Sequence, residues 1–327
     1  MPIHRRLFIA AVATLAVPCA SVVVAQAPYP NRPVHLAVPY PAGGGTDFFA
    51  RLVGAKMAQT LGQPVIVENR PGAATIVGAE QVARAAPDGY TILLGDVATF
   101  AANPSLYQKL PYDPRKDFSP ITLTGRFAIV LLVNTNKLNV SSIADLVAAA
   151  RKAPGAIDYA SGGVGNPFHL ASELFAQAAG IKLNHVPYRG AAPAVQDLAA
   201  GHVGMMFVDF ATARSQLATP GIRALAVASA SPFAGLPDVP TVASSGYPGF
   251  EAWAWQGLVA PAATPPDIVA KLRDSYLAAI QDAEVKQKLT EAGIDILQST
   301  PAEFTDYMKQ ETGKWERVIR AANIHVD

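Results

Sequence analysis

Cysteine is almost missing from this 327-residue chain: Cys19 is the only one, and it lies in the N-terminal stretch MPIHRRLFIAAVATLAVPCASVVVA. That stretch has a basic head at Arg5 and Arg6, an apolar middle and small residues at its end, the layout of a secretory signal peptide (residues 1–25) cleaved before Gln26. The alternative is an uncleaved anchor, since a membrane span needs about 20 apolar residues. Without its leader the chain has no cysteine, which excludes disulfides and thiolate metal sites. Charge of one sign is lacking too. Losing Arg5 and Arg6 from 26 Lys and Arg leaves 24 bases against 25 acids, so there is no electrostatic footprint for nucleic acid or anionic lipid. Charged residues make up only 16% of the chain and hydrophobic ones 50%, proportions of a packed globular protein rather than a disordered one.

Enzyme signatures are equally scarce. The chain contains no HExxH, no GxSxG elbow and no GxxxxGK[ST] loop; GGGTD (43–47) lacks the lysine, and SGGVGN (161–166) does not match GxGxxG. The histidines beyond the leader, at 35, 169, 185, 202 and 325, are scattered, so no metal site and no cofactor is expected.

What is present is an alternation. Apolar, β-rich runs at 33–39, 65–69, 90–94, 128–133, 185–188, 203–208 and 222–228 are separated by amphipathic segments such as TDFFARLVGAKMAQTLG and SSIADLVAAARKAPG. This predicts an α/β fold with mixed, mostly parallel sheets covered by helices. Proline-rich breaks at 111–120 and 231–250 precede strand-like crossovers, and three helical patterns close the chain near Asn323. The reading is of two lobes joined by a two-strand hinge, one from 26–124 and 257–327 and the other from 125–256.

Two glycine-rich turns stand out, each between a strand and a helix: Ala42, Gly43, Gly44, Gly45 and Thr46, then Ser161, Gly162, Gly163, Val164 and Gly165. Glycine admits close approach to the unpaired N–H groups of a helix start, and each such end is equivalent to roughly half a positive charge. If the turns face each other across a cleft, a carboxylate is held without lysine or arginine. Both are equally readable as ordinary packed turns. Thr46 is placed to cap the first helix and to offer a ligand its hydroxyl, Asp47 to complement the dipole or, for a ligand with a cationic group, to bind it directly, Asp209 to stand in the cleft wall, and His169 either to face the cleft or to pack.

The segments YPNRPVHLAVPYPAGGGTDFFAR, VENRPGA, PDGYTILLG, NPSLY, YASGGVGNPFHLASELF, HVPYRGAAPAVQDLAAGHVGMMF, GIRALAV and KWERVIRAANI, in this order, resemble the Bug-type extracytoplasmic solute receptors of tripartite tricarboxylate transporters. The resemblance implies a type II periplasmic binding protein (Venus-flytrap) fold. It also implies a periplasmic, non-enzymatic, monomeric receptor that passes a small organic carboxylate to membrane transporter subunits. Carried over, it assigns the ligand's carboxylate to Ala42–Thr46 and Ser161–Gly165, partly through water. One departure is AATIVG (73–78), where the family commonly reads AGGNIG; Asp96, Thr99 and Phe100 are candidates for the far end of the pocket. A cleft hydrolase and an exported sensory or partner-binding protein are the alternatives.

Overall fold

The computed structural model describes residues 28–326; the leader and its cleavage point lie outside them. The first half of the chain builds β1 (Val34–Val38), α1 (Gly45–Leu61), β2 (Val65–Asn69), α2 (Ile76–Ala83), β3 (Thr91–Asp96), a π-helical turn (Ala98–Ala102) and α3 (Asn103–Leu106). A 17-residue strand, β4 (Phe118–Asn134), follows, then α4 (Ile143–Lys152), β5 (Asp158–Ser161), α5 (Pro167–Ala179), β6 (Asn184–Pro187), α6 (Ala191–Ala199), β7 (Met205–Asp209), α7 (Phe210–Ala213) and β8 (Ile222–Val227). The chain returns through β9 (Trp253–Pro261) and ends with α8 (Pro266–Gln281), α9 (Ala283–Glu291), β10 (Ile294–Ile296) and α10 (Pro301–Ala321).

Each lobe owns a sheet, and β4 belongs to both. Its first part, up to Ala128, pairs with β9; from Ile129 onward it pairs with β7 and β8. The outer strands of each lobe pair in parallel: β1 with β2 and β3, β5 with β6 and β7. Every ladder made by β4 or β9 is antiparallel, because these strands carry the chain from one lobe to the other and back. The mixed two-lobe α/β architecture with a two-strand connection is therefore present, its parallel character confined to the strands outside the crossover.

The apolar runs fill the interior as their periodicity demands. Val130–Val133 on β4 and Met205–Val208 on β7 are continuous hydrophobic runs, the pattern of strands covered on both faces, and all are fully buried. Beneath the first lobe Phe100, Trp255 and Phe304 form a cluster, Trp255 stacked on Phe100 with centroids 6.2 Å apart and Phe304 edge-on to both. Gly257 lets Phe304 lie against the sheet: a Cβ there would stand 2.2 Å from the Phe304 ring.

Candidate ligand-binding cleft

Between the lobes lies a half-open chamber of about 100 Å³, lined by Tyr40 to Ala42 and Gly44 to Thr46, by Phe127 and Ala254 at the crossover, and by the starts of α5 and α6. The turn 42–45 leads directly into α1, whose N-cap is Gly44 in extended conformation with no side chain capping it. Thr46 is therefore not the cap: the helix begins at Gly45, which places Thr46 inside the first turn. Gly45 packs so closely on the crossover strand that a Cβ would come within 2.9 Å of Phe127 Cε1 and 3.2 Å of Asp209 Oδ1. Here glycine is required by close approach.

Of the first turn, Ala42, Gly44, Gly45 and Thr46 line the chamber; Gly43 does not. Asp47 is turned away. Its carboxylate accepts from Gly43 N at 3.0 Å, from Arg51 and from Asn69, and these contacts fix the turn behind the chamber. Burial pushes its pKa up, but the hydrogen bonds from Arg51, Gly43 and Asn69 outweigh that and hold the carboxyl below its ordinary value.

The second turn is divided. Gly162, Gly163 and Val164 line a neighbouring, outer chamber of about 680 Å³ that shares Tyr40, Pro41, Asn166, Arg189 and Gly190 with the inner one. Ser161 is wholly buried and its Oγ is spent on the turn itself: it accepts from Gly163 N at 3.1 Å and lies 2.6 Å from His185 Nε2. Gly165 donates its N–H to His169 Nδ1 at 3.0 Å. His169 packs; it is 3% exposed, lies stacked 4.0 Å from the His185 ring and lines neither of these two chambers. Desolvation, and in second place the neighbouring His185, push His169 down to about 3, while burial pushes His185 down to about 4. The histidine pair is thus a neutral strut beneath the second turn.

What α5 brings to the inner chamber instead is Asn166, Pro167 and Phe168. Asn166 caps its own helix by accepting from Phe168 N at 2.9 Å, and Pro167 has no N–H to offer. The stronger opposing donor is α6. Its N-cap Gly190 has φ 112° and no side-chain cap, and Arg189 to Pro193 all line the chamber. Sequence reasoning missed this third helix start, because RGAAP lacks a glycine run; the signal available was Gly190 directly before a helical pattern. Asp209 does stand in the wall, 4% exposed, capping α7 by accepting from Thr212 N and Oγ1 at 2.9 Å each. Asp96 lines the chamber from the other lobe, whereas Thr99 bonds to Asp96 and Thr75, and Phe100 belongs to the aromatic cluster.

The turn that departs from the family pattern keeps a glycine-like course without the glycines. Ala73, Ala74 and Thr75 have φ of 43°, 48° and 77°, and Thr75 is β-branched. Such residues cost on the order of 1–3 kcal/mol each, and Asn103 Nδ2, donating to Ala74 O at 2.8 Å, helps hold them. A parallel expectation concerns Gly163, at φ 126° with Tyr188 O 3.4 Å from a would-be Cβ. Gly163→Ala should cost about 1–2 kcal/mol in thermal unfolding, with inner-chamber affinity changed less than about threefold by calorimetry.

Residues 49–324 match the family described as "Tripartite tricarboxylate transporter family receptor". The chain belongs to that family. Among its relatives is Protein BugT of Bordetella pertussis (strain Tohama I), 35% identical over 293 residues, 89% of this chain and 90% of BugT. Among solved structures, R. palustris Rpa4515 with adipate superposes with a TM-score of 0.86 at 34% identity over 91% of this chain and 100% of that one. MatC (Rpa3494) from Rhodopseudomonas palustris with bound malate gives 0.83 at 33% identity over 89% and 100%. The receptor family and its two-lobe periplasmic binding fold are thereby established for this chain. Among the described residues no group of His, Cys, Asp or Glu is arranged to hold a metal ion, and no helix is long and apolar enough to cross a membrane.

Proposed function

We propose that this chain is a periplasmic, non-catalytic receptor that captures a small organic carboxylate in the inner chamber and delivers it, as a monomer, to the membrane subunits of a tripartite tricarboxylate transporter. The observation that carries the reading is that two helices from opposite lobes, α1 and α6, enter one chamber by N-termini that no side chain caps. Unspent N–H donors and converging dipoles suit a carboxylate and need no lysine. Relatives of the same fold hold adipate and malate, which supports the ligand class. Ala42, Gly44, Gly45 and Thr46, with Ala191 and Ala192, are then the direct contacts, the Gly190 amide being held by Gly162 O at 3.3 Å. Ser161 to Gly165 and His169 support the wall, with Asp47 bracing the first turn.

Lobes of residues 26–124 with 257–327, and 125–256, would close about the two crossings, near Ala128/Ile129 on β4 and Ala252/Trp253 at the start of β9. Ligand contacts available only in the closed form would drive that motion. The test is thermal unfolding of residues 26–327 against a panel of mono-, di- and tricarboxylic acids and amino acids. A cognate ligand at 100 times its Kd should add about 2.7 kcal/mol, with the ligand recovered unchanged. If no carboxylate raises the melting temperature, or a ligand is turned over, the receptor reading is wrong.

A further inference from the structure

We propose that the chamber selects an aminocarboxylate, with Asp209 receiving the ligand's ammonium group while the helix starts hold its carboxylate; this rests on the carboxylate-receptor reading above and narrows it. The ionisable groups lining the chamber are Asp96, Asp209 and Arg189, together with the phenol of Tyr40. Arg189 is exposed and makes no hydrogen bond or salt bridge among the described residues, whereas both aspartates are at most 5% exposed and have no basic partner. A dicarboxylate would add two negative charges beside two carboxyls whose ionisation burial already disfavours, with Arg189 the single basic side chain in the lining to offset them. A zwitterion adds none.

The two acids are not equivalent. Asp96 is enclosed by three donors, Tyr40 Oη at 2.6 Å, Thr99 N at 3.2 Å and Thr99 Oγ1 at 3.1 Å. Asp209 receives only Thr212 N and Thr212 Oγ1, one on each oxygen, where a carboxylate has about four accepting sites. Its Oδ1 lies 3.2 Å from the position a Cβ on Gly45 would take, beside the first residue of α1. A carboxylate docked on the amides of Gly45 and Thr46 therefore puts an α- or β-amino group within reach of Asp209. Burial pushes the Asp209 carboxyl up, and a cation beside it would favour its charged form.

A second observation points the same way. Gln256 is 1% exposed and both polar atoms of its amide lack any partner. It stands directly opposite Asp96 in the β3–β9 ladder and two residues from Ala254, both of which line the chamber, while Gln256 itself is buried behind them. Unspent hydrogen-bonding capacity thus lies behind the Asp96 side of the chamber.

The experiment is calorimetry near neutral pH with paired ligands that differ only in the amine: glutamate against glutarate, leucine against 4-methylpentanoate. The amino member of the best-binding pair should bind roughly tenfold tighter or more, and D209N should shrink that preference to below about threefold. Asparagine is an equally good N-cap for α7, and a melting curve checks that the variant is folded. Should it not fold, the wild-type pairs decide alone. Des-amino acids binding as tightly as their amino partners, or a preference that survives in folded D209N, overturns this assignment and leaves the receptor reading standing. No binding by any carboxylate removes both.

Discussion

Gly44→Leu is expected to lower affinity for the cognate acid by roughly 100-fold, about 2.7 kcal/mol, while the protein stays folded. Gly44 is extended, a conformation any residue adopts, and a Cβ built on it meets nothing within 4 Å. The added side chain therefore meets no protein atom at its root, and because Gly44 lines the chamber beside the donors at the start of α1 it is expected to compete with the ligand there. Leucine is also a poorer N-cap than glycine, which should cost about 1 kcal/mol in stability. The two effects are separated by measuring affinity by calorimetry and stability by thermal melting. Affinity unchanged in a folded G44L protein would show that the ligand does not sit on the first helix start. Gly45 is a worse choice for the test, since Phe127 and Asp209 crowd its Cα and any side chain disturbs the crossover as well as the site.

The contrast between Gly44 and Gly45 marks the limit of what a glycine run says. GGGTD announced a turn before a helix, and the helix is there. Which glycine is open and which is pinched depends on Phe127 and Asp209, 82 and 164 residues further along the chain. Asp47 and His169 illustrate the same point from the polar side. Each stands next to a glycine turn in sequence, and each spends its acceptor on the amide four residues before it, Gly43 for Asp47 and Gly165 for His169. A local hydrogen bond of this kind turns a candidate ligand contact into a brace. Strand β4 was legible only over its apolar half: before Ala128 it carries Pro120, Thr122, Thr124 and Gly125, and register shifts at Pro120/Thr122 and Leu123/Gly125 interrupt its pairing. The crossover was visible as a strand, but its length is set by β9, far away in sequence. The start of α6 was hidden because a helix N-terminus becomes a binding element through its position, and position is a tertiary fact.

The histidine strut gives the second large effect, a loss of stability on mild acidification. In the unfolded chain both imidazoles gain a proton near pH 6.5, whereas in the folded protein burial holds His169 and His185 neutral down to about 3 and 4. Their folded pKa values are depressed, so the stability they contribute is fully present above pH 6.5 and drains away as pH falls, down to about 4 for His185 and about 3 for His169. At pH 5 the pair together should cost about 2–4 kcal/mol relative to pH 7.5. The buried acids Asp96, Asp209 and Glu173, whose carboxyls burial pushes up, work in the opposite sense, so the decisive quantity is the difference between variant and wild type. His169→Gln cannot titrate; its melting temperature should fall less between pH 7.5 and 5, recovering about half of the decline. His169 Nδ1 accepts the Gly165 amide, so protonation of that nitrogen removes the acceptor and loosens the turn that presents Gly162 to Val164 to the outer chamber and Asn166 to the inner one, whereas Ser161 Oγ, which donates to Gly163 O, accepts from His185 Nε2 and keeps that bond. Equal pH dependence in His169→Gln and wild type would show that the rings are not neutral in the native protein, and that the second turn is held by packing alone.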